Sequence, residues 1–333
     1  MPNVFRHSQD KYRYWGRLVL FILLAFAVSY LTLTYGLPKG LSERAFLLLV
    51  KRRRYQLLLL AAVAISQSLA TLTFQSVTQN RLLTPSLLGF EALYQFLNTA
   101  LLATLGLAPW LHLSGPWLFF GQILVMVSLS VLLFVYFFAR KNFDLTSLLL
   151  LGAVFGMALR SLTNMLQRFL SPTAFDLLQA KLLGSINNAD PTIIRYALPL
   201  LAVASVLLFL LARQLDVLLL GEKIATGLGL PTKRVTLLAL SAVAILMAVS
   251  TALIGSLTFF GFIVSNVTYE LVPTYRHTYR FIFAVLLGYV FLVSAYFLMT
   301  HVVHAQGVVA LVIESVGSLV FLGILWLRRK ELR

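Results

Sequence analysis

The chain has 333 residues, of which 60% are apolar and only 11% charged, with a formal net charge of +16 and no cysteine. Soluble domains carry roughly 25% charged residues, so a water-soluble globular protein is excluded; disulfides, zinc–thiolate sites and iron–sulfur ligation are excluded with the cysteines. In a membrane protein the excess cations are loop residues that fix topology and meet anionic lipid headgroups, so no nucleic-acid partner is implied.

Apolar runs long enough to cross a hydrocarbon core of ~30 Å recur along the chain. They predict an all-α polytopic membrane protein, a single transmembrane domain over 1–333. The spans fall at 17–35, 55–74, 87–106, 117–139, 145–166, 192–212, 235–255, 257–271, 279–300 and 307–327. The first follows Arg6, Lys11, Arg13 and Arg17 and lacks a small-residue cleavage site, so it reads as a retained helix preceded by a cytoplasmic segment, 1–16. The eighth is short, with Gly255 just before it and Gly261 and Asn266 inside it. About ten spans put both termini on one side. With that side cytoplasmic, 17 of the 27 Lys and Arg residues lie inside; the opposite orientation reverses the bias, so the positive-inside rule selects the first.

Between the first two spans, "FLLLVKRRRYQLLLL" leaves Lys51, Arg52, Arg53 and Arg54 on the outer face, against that rule. Burial is no escape, because a cation at mid-bilayer costs ~2.5–3.5 kcal/mol. The preceding "LSERAFLLLV" is too short to span and reads as an amphipathic helix along the interface. The cations then serve either as a snorkelling anchor or as a docking patch for an acidic partner outside.

On the inner face, "FQSVTQNRLLTPSLLGF" contains a good helix start, with Thr84 as N-cap and Pro85 at the first helical position. Gln75, Gln79 and Asn80 are polar groups at a helix end. "LLLGEKIATGLGLPTKR", from Leu218 to Arg234, reads as a short amphipathic helix closed by glycines within an inner loop, 213–234. "STALIGSLTFFGFIVSN" joins spans seven and eight through a glycine-punctuated turn.

Within the spans, Glu91, Glu314 and Arg160 are candidates for the translocation pathway or a subunit interface, with a static hydrogen bond to a neighbouring helix as the alternative. His301 and His304 lie one turn apart without a third ligand, so no metal site is read. Tyr94, Phe96 and Phe297 read as helix packing. No G-x-x-x-x-G-K-[ST] stretch is present to cradle ATP phosphates, and no H-E-x-x-H or G-x-S-x-G supports catalysis, so no catalytic residues are assigned.

The three loop stretches together resemble the permease subunits of iron-siderophore, haem and cobalamin ABC importers, the FecCD-type family. Gln75, Asn80, Leu82, Pro85, Leu88 and Gly89 fall in register with its first signature. Leu218, Leu220, Gly221, Glu222, Ala225, Leu228 and Gly229 match the second, and Gly255, Phe259 and Gly261 the third. "ELVPTYRHTY" and "LLGFEALYQFLNT" are similar to the branch that imports catecholate siderophores of the petrobactin, anguibactin and vibriobactin kind.

The resemblance implies a bacterial inner-membrane permease that pairs with a second permease subunit, the same or related. Two cytosolic ATPases hold the ATP and drive it through the 218–230 loop, while this chain binds no cofactor. An external binding protein delivers the ferric siderophore. The family's paired arginines before the second span fall on Lys51 and Arg54, with Arg53 in place of a proline. A third family arginine has no counterpart; Tyr296 and Thr300 occupy its surroundings. Gln79, Arg81 and Ser265-Asn266 also depart from the signatures. Haem or cobalamin import is the alternative within the family, and an ion-coupled secondary transporter using Glu91 and Glu314 the alternative outside it.

Overall fold

Helices occupy nearly all the residues described by the computed structural model, which are 8–36, 42–113, 115–139, 145–182 and 191–302, with 312, 313, 315, 319 and 322. They run α1 (Ser8–Thr34), α2 (Glu43–Thr78), a 3₁₀ turn (Pro85–Leu88), α3 (Phe90–Leu105), α4 (Leu107–His112), α5 (Pro116–Phe138) and α6 (Leu145–Gln167). There follow α7 (Pro172–Leu182), α8 (Pro191–Leu218), α9 (Glu222–Gly227), α10 (Thr232–Ile254), α11 (Phe260–Leu271) and α12 (His277–His301). Seven of these, α1, α2, α5, α6, α8, α10 and α12, are long and apolar enough to cross a membrane. The expected tenth span lies almost wholly outside the described residues, as do Glu314 and His304.

Three expectations are corrected. The stretch before the four cations is not a separate interfacial helix. Ser42 caps the Ala45 N–H, and α2 then runs unbroken for 36 residues, about 54 Å. Lys and Arg are good helix formers, so the charge run interrupts the apolar pattern without interrupting the backbone. It stands about 36–40 Å from Thr78, more than the ~30 Å thickness of a hydrocarbon core.

The third and eighth spans are also shorter than the sequence pattern indicates. Gly89, in the left-handed region at φ 84°, ends the 3₁₀ turn and starts α3, which has 16 residues. α11 has 12 residues, about 18 Å, and cannot span alone. It begins level with the last third of α2: a Cβ on Gly261 would lie 2.1 Å from Thr71 Oγ1. The third correction concerns 213–234, which is mostly helix: α8 continues to Leu218, α9 occupies the middle and α10 starts at Thr232. α4 and α7 were not foreseen.

α2 forms the axis of the bundle, packed against α8, α10, α11 and α12. Its buried stretch is semi-polar, with Ser66, Gln67, Ser68, Thr71, Thr73, Gln75 and Ser76 all nearly inaccessible. Small side chains let the surrounding helices approach closely, the usual solution where lipid removes the hydrophobic drive between helices. Gln67 Nε2 donates to Ser250 Oγ of α10 at 3.0 Å. The hydroxyls of Ser66, Ser68, Thr71 and Thr73 have no hydrogen-bond partner among the described residues.

Contacts sort the helix ends onto two levels. At the Thr78 end, Gln79 reaches Leu218, His277 reaches Ser76 and Asp216, and Tyr14 of α1 donates to the Tyr279 carbonyl. At the Ser42 end, Arg53 reaches the last turn of α1, whose Tyr35 packs on Phe297 and His301 of α12.

Candidate functional site

The four cations at the Ser42 end do not act alike. Arg53 is half-buried, and its Nη1 donates to the carbonyls of Thr32, Leu33 and Tyr35 at 3.0, 3.0 and 2.8 Å. These are carbonyls at the C-terminus of α1, where orphan acceptors and the helix dipole both favour a cation. Arg53 is therefore a cap between helices. Lys51 and Arg54, three residues apart and so on one face of the helix, are exposed. Arg53→Ala is expected to loosen the end of α1 by about 1–3 kcal/mol, read as a lower melting temperature of the purified chain, whereas Lys51→Ala should leave it unmoved. The place of the missing third arginine is filled by Tyr296, which is buried, and by Thr300, whose hydroxyl donates to the Tyr296 carbonyl. His301 stacks on Phe297 with ring centroids 4.8 Å apart, a packing role. No cluster able to hold a metal occurs among the described residues.

At the Thr78 end, α9 stands out as a short rigid projection. Gly221 at φ 102° turns the chain out of α8, and Gly229 at φ 84° turns it back, conformations that favour glycine. Leu218 and Ala225 of the same stretch are buried and anchor it, and Thr226 hydrogen-bonds Thr232 at the start of α10. What remains outside is apolar: Leu220, Ile224 and Leu228 are 54%, 57% and 65% exposed, beside exposed Glu222 and Lys223. A cleft of about 590 Å³, open to solvent, runs between the ends of α2 and α8, α9 and the start of α10, lined by Gln79, Glu222 and Lys233 among others.

The residues between α2 and α3 shape this end from within. Gln79 adopts the left-handed conformation at φ 52° and donates through Nε2 to the Leu218 carbonyl at 3.1 Å. Gln75 Nε2 donates to the Arg81 carbonyl at 2.7 Å, and Asn80 Oδ1 accepts from the Leu82 N–H at 2.9 Å. Thr84 and Pro85 start the 3₁₀ turn as expected, although the Thr84 side chain makes no capping bond. Gly89 lies so close to α6 that a Cβ there would sit 3.2 Å from Gly156 Cα.

Glu91 is buried in the first turn of α3 with both oxygens occupied: Oε1 accepts from Ser86 at 3.0 Å and Oε2 from Thr258 at 2.8 Å. Thr258 belongs to the turn between α10 and α11, so this carboxylate ties the start of α3 to the break that Gly255 opens at the end of α10. Removing it strands the Ser86 hydroxyl and leaves that of Thr258 only its 3.3 Å contact with Ser256. Glu91→Ala is expected to cost about 1–3 kcal/mol, measured as lowered thermal stability in detergent, and Glu91→Gln, which keeps one acceptor, less. Arg160 is exposed on α6, followed on the same helix by exposed Ser161 and Asn164. Tyr94 is buried and Phe96 half-buried in the packing, as expected.

Asp216, His277 and Ser76, unremarked in the sequence, meet here. Asp216 Oδ1 accepts both the backbone N–H of His277 at 2.7 Å and its ring Nδ1 at 2.6 Å, and His277 Nε2 lies 2.7 Å from Ser76 Oγ. Tyr269 hydrogen-bonds Ser76 as well, and its ring is flanked by the Arg81 and Arg280 guanidinium groups at 4.5 and 4.9 Å. Asp216 and His277 are 61 residues apart, and neither has a local signal beyond its type.

Residues 17–328 match the FecCD transport family. The chain belongs to that family. As a FecCD chain it is a permease subunit of an ATP-binding-cassette importer, a multi-pass component of the bacterial cytoplasmic membrane without a catalytic role of its own. It is 39% identical over 330 residues to the petrobactin import system permease FatC of Bacillus anthracis, covering 99% of this chain and 93% of that protein. It is 30% identical over 297 residues to the petrobactin import system permease YclO of Bacillus subtilis, covering 89% and 90%. A metal-chelate type ABC transporter solved in an inward-facing conformation superposes with a TM-score of 0.82, covering 93% of this FecCD chain and 99% of the other at 19% identity, a likeness of fold.

Proposed function

We propose that this permease imports a ferric siderophore of the catecholate type that petrobactin represents. The full-length similarity to two petrobactin permeases carries the substrate class. In this reading the bundle has about ten membrane segments, the short α11 among them, with both termini cytoplasmic, so the Thr78 end faces the cytosol and the Ser42 end the outside. Cations concentrate at the Thr78 end, in Arg13, Arg17, Arg81, Arg213, Lys223, Lys233, Arg234, Arg276 and Arg280, in keeping with the positive-inside rule.

α9 is then the surface on which a cytosolic ATPase presses. Its exposed Leu220, Ile224 and Leu228 gain nothing from water and fit an apolar groove on a partner. Two ATPases, one for each of two paired permeases, supply the ATP, and closure moves α9 as a rigid body. Lys51 and Arg54 receive a substrate-loaded binding protein on the opposite side. The exposure of Arg160, Ser161 and Asn164 supports a reading in which that face of α6 turns toward the second permease and the pathway, since lipid exposure of a cation costs several kcal/mol.

Deleting this chain in its own host and measuring uptake of radiolabelled iron on a panel of chelates tests the substrate class. Loss of ferric petrobactin uptake, with haem and cobalamin uptake unchanged, is the expected outcome. Loss of haem or cobalamin uptake instead overturns it.

A further inference from the structure

The cluster of Asp216, His277 and Ser76 lies two residues before the point where α8 turns toward α9. It joins the ends of three long helices. Asp216 belongs to α8, His277 opens α12 and Ser76 lies in the last turn of α2. α12 has no cap from its own N-cap residue, Arg276. Asp216 supplies one from another helix, accepting the first N–H of α12 and the ring of the same residue through one oxygen. A carboxylate oxygen only accepts, so the Nδ1–H of His277 donates to it, and this orients Nε2 onto Ser76. A second bond runs in parallel, from Gln79 Nε2 to the Leu218 carbonyl.

We infer that the Asp216–His277–Ser76 chain, with Gln79–Leu218 beside it, is the linkage through which displacement of α9 reaches α2 and α12. The argument is one of stiffness. α9 is attached to α8 by only three residues, Leu219 to Gly221, and the last turns of α8 are the first elements to feel its movement. Apolar contacts between α8 and its neighbours allow sliding. Short, directional bonds to a buried imidazole do not, because a slip of about 1 Å at Asp216 breaks two of them at once. α12 carries Gly288 against Ser68, and α11 carries Gly261 against Thr71, both in the last third of α2. Movement of α2 and α12 as one body therefore reaches the level where α10 breaks. Asp216, His277 and Ser76 are positioning residues, and none is assigned contact with substrate.

This inference rests on the proposal that α9 is the ATPase-contacting surface. Its test uses the complete importer in proteoliposomes, with its ATPase, its binding protein and radiolabelled ferric petrobactin. His277→Phe keeps a ring in the same packing, against Phe281 at a centroid distance of 5.5 Å, and removes both ring bonds. The expected result is wild-type assembly and ATP hydrolysis with about tenfold less iron moved per ATP. Asp216→Ala should give the same ratio and add little in the His277→Phe background, as for residues acting in one chain. Asp216→Asn, which keeps an acceptor for the backbone N–H, should restore part of the ratio. Unchanged iron per ATP in His277→Phe overturns the linkage. Should that variant fail to assemble, Ser76→Ala, which removes the Nε2 partner together with the hydroxyl's bond to the Leu72 carbonyl, decides by the same ratio when compared with Ser76→Thr, which keeps a hydroxyl. Failure of the underlying proposal looks different: Ile224→Glu on the exposed face of α9 would leave ATPase binding to the permease unchanged.

Discussion

Reversing Lys51 and Arg54 together to glutamate is expected to abolish uptake stimulated by the binding protein, while the assembled complex and its basal ATP hydrolysis stay intact. Both residues are exposed on one face of the Ser42 end of α2. Neither is recruited as Arg53 is, by the carbonyls that end α1. The reversal therefore changes a surface field without dismantling a cap. Complementary charge acts mainly on encounter rate and orientation, with effects of about 10- to 10³-fold. Raising salt should weaken wild-type stimulation in the same direction, because exposed charges are screened beyond a Debye length of about 8–10 Å near physiological ionic strength. The control is Arg53→Ala, which lowers stability instead. Unchanged stimulation in the double reversal would remove these two residues from docking.

The second large effect belongs to Gly261. A Cβ at this position meets Thr71 Oγ1 at 2.1 Å, Thr71 Cβ at 3.0 Å and the Gln67 carbonyl oxygen at 3.3 Å. The obstacles belong to the buried central helix, which is packed on every side and has nowhere to retreat. Overpacking of this kind costs about 1–3 kcal/mol, and a larger side chain more. Gly261→Ala is expected to reduce the amount of folded permease in the membrane several-fold, and Gly261→Val to eliminate it. Thr71→Ala should be mild alone, since the hydroxyl it removes has no partner, and should partly rescue Gly261→Ala by clearing the shortest contact. Wild-type amounts of Gly261→Val, measured by quantitative immunoblot of membranes, would contradict this packing.

Much of the bundle was legible because hydropathy reports what lipid requires. The long spans α1, α5, α6, α8, α10 and α12 follow from apolar runs alone, and the short helix α9 from glycines at both its ends. The same signal failed at α2. Four cations mark the end of the apolar surface, but a helix continues wherever its residues allow, and Lys and Arg allow it. Hydropathy also misjudged α11. Its apolar composition reflects burial against α2 and α12 rather than a complete crossing.

Site residues divided in a similar way. Family spacing sets Lys51 and Arg54 apart from Arg53, and Arg53 is held by the carbonyls that end α1. Glu91 stood out as an acid within a span, but its partners could not be read, since Thr258 lies 167 residues away. Asp216 and His277 stood out not at all. Each is an ordinary polar residue near a span end, and only the packing of α8 against α12 brings them together.

In the proposed function, energy enters through α9 from an ATPase and not through an ion gradient. Purified permease is reconstituted in proteoliposomes with its binding protein and ferric petrobactin, with or without the ATPase and ATP inside. Iron entry only when the ATPase and ATP are both present is the predicted result. Iron entry driven by a proton or sodium gradient, with no ATPase in the membrane, would contradict it.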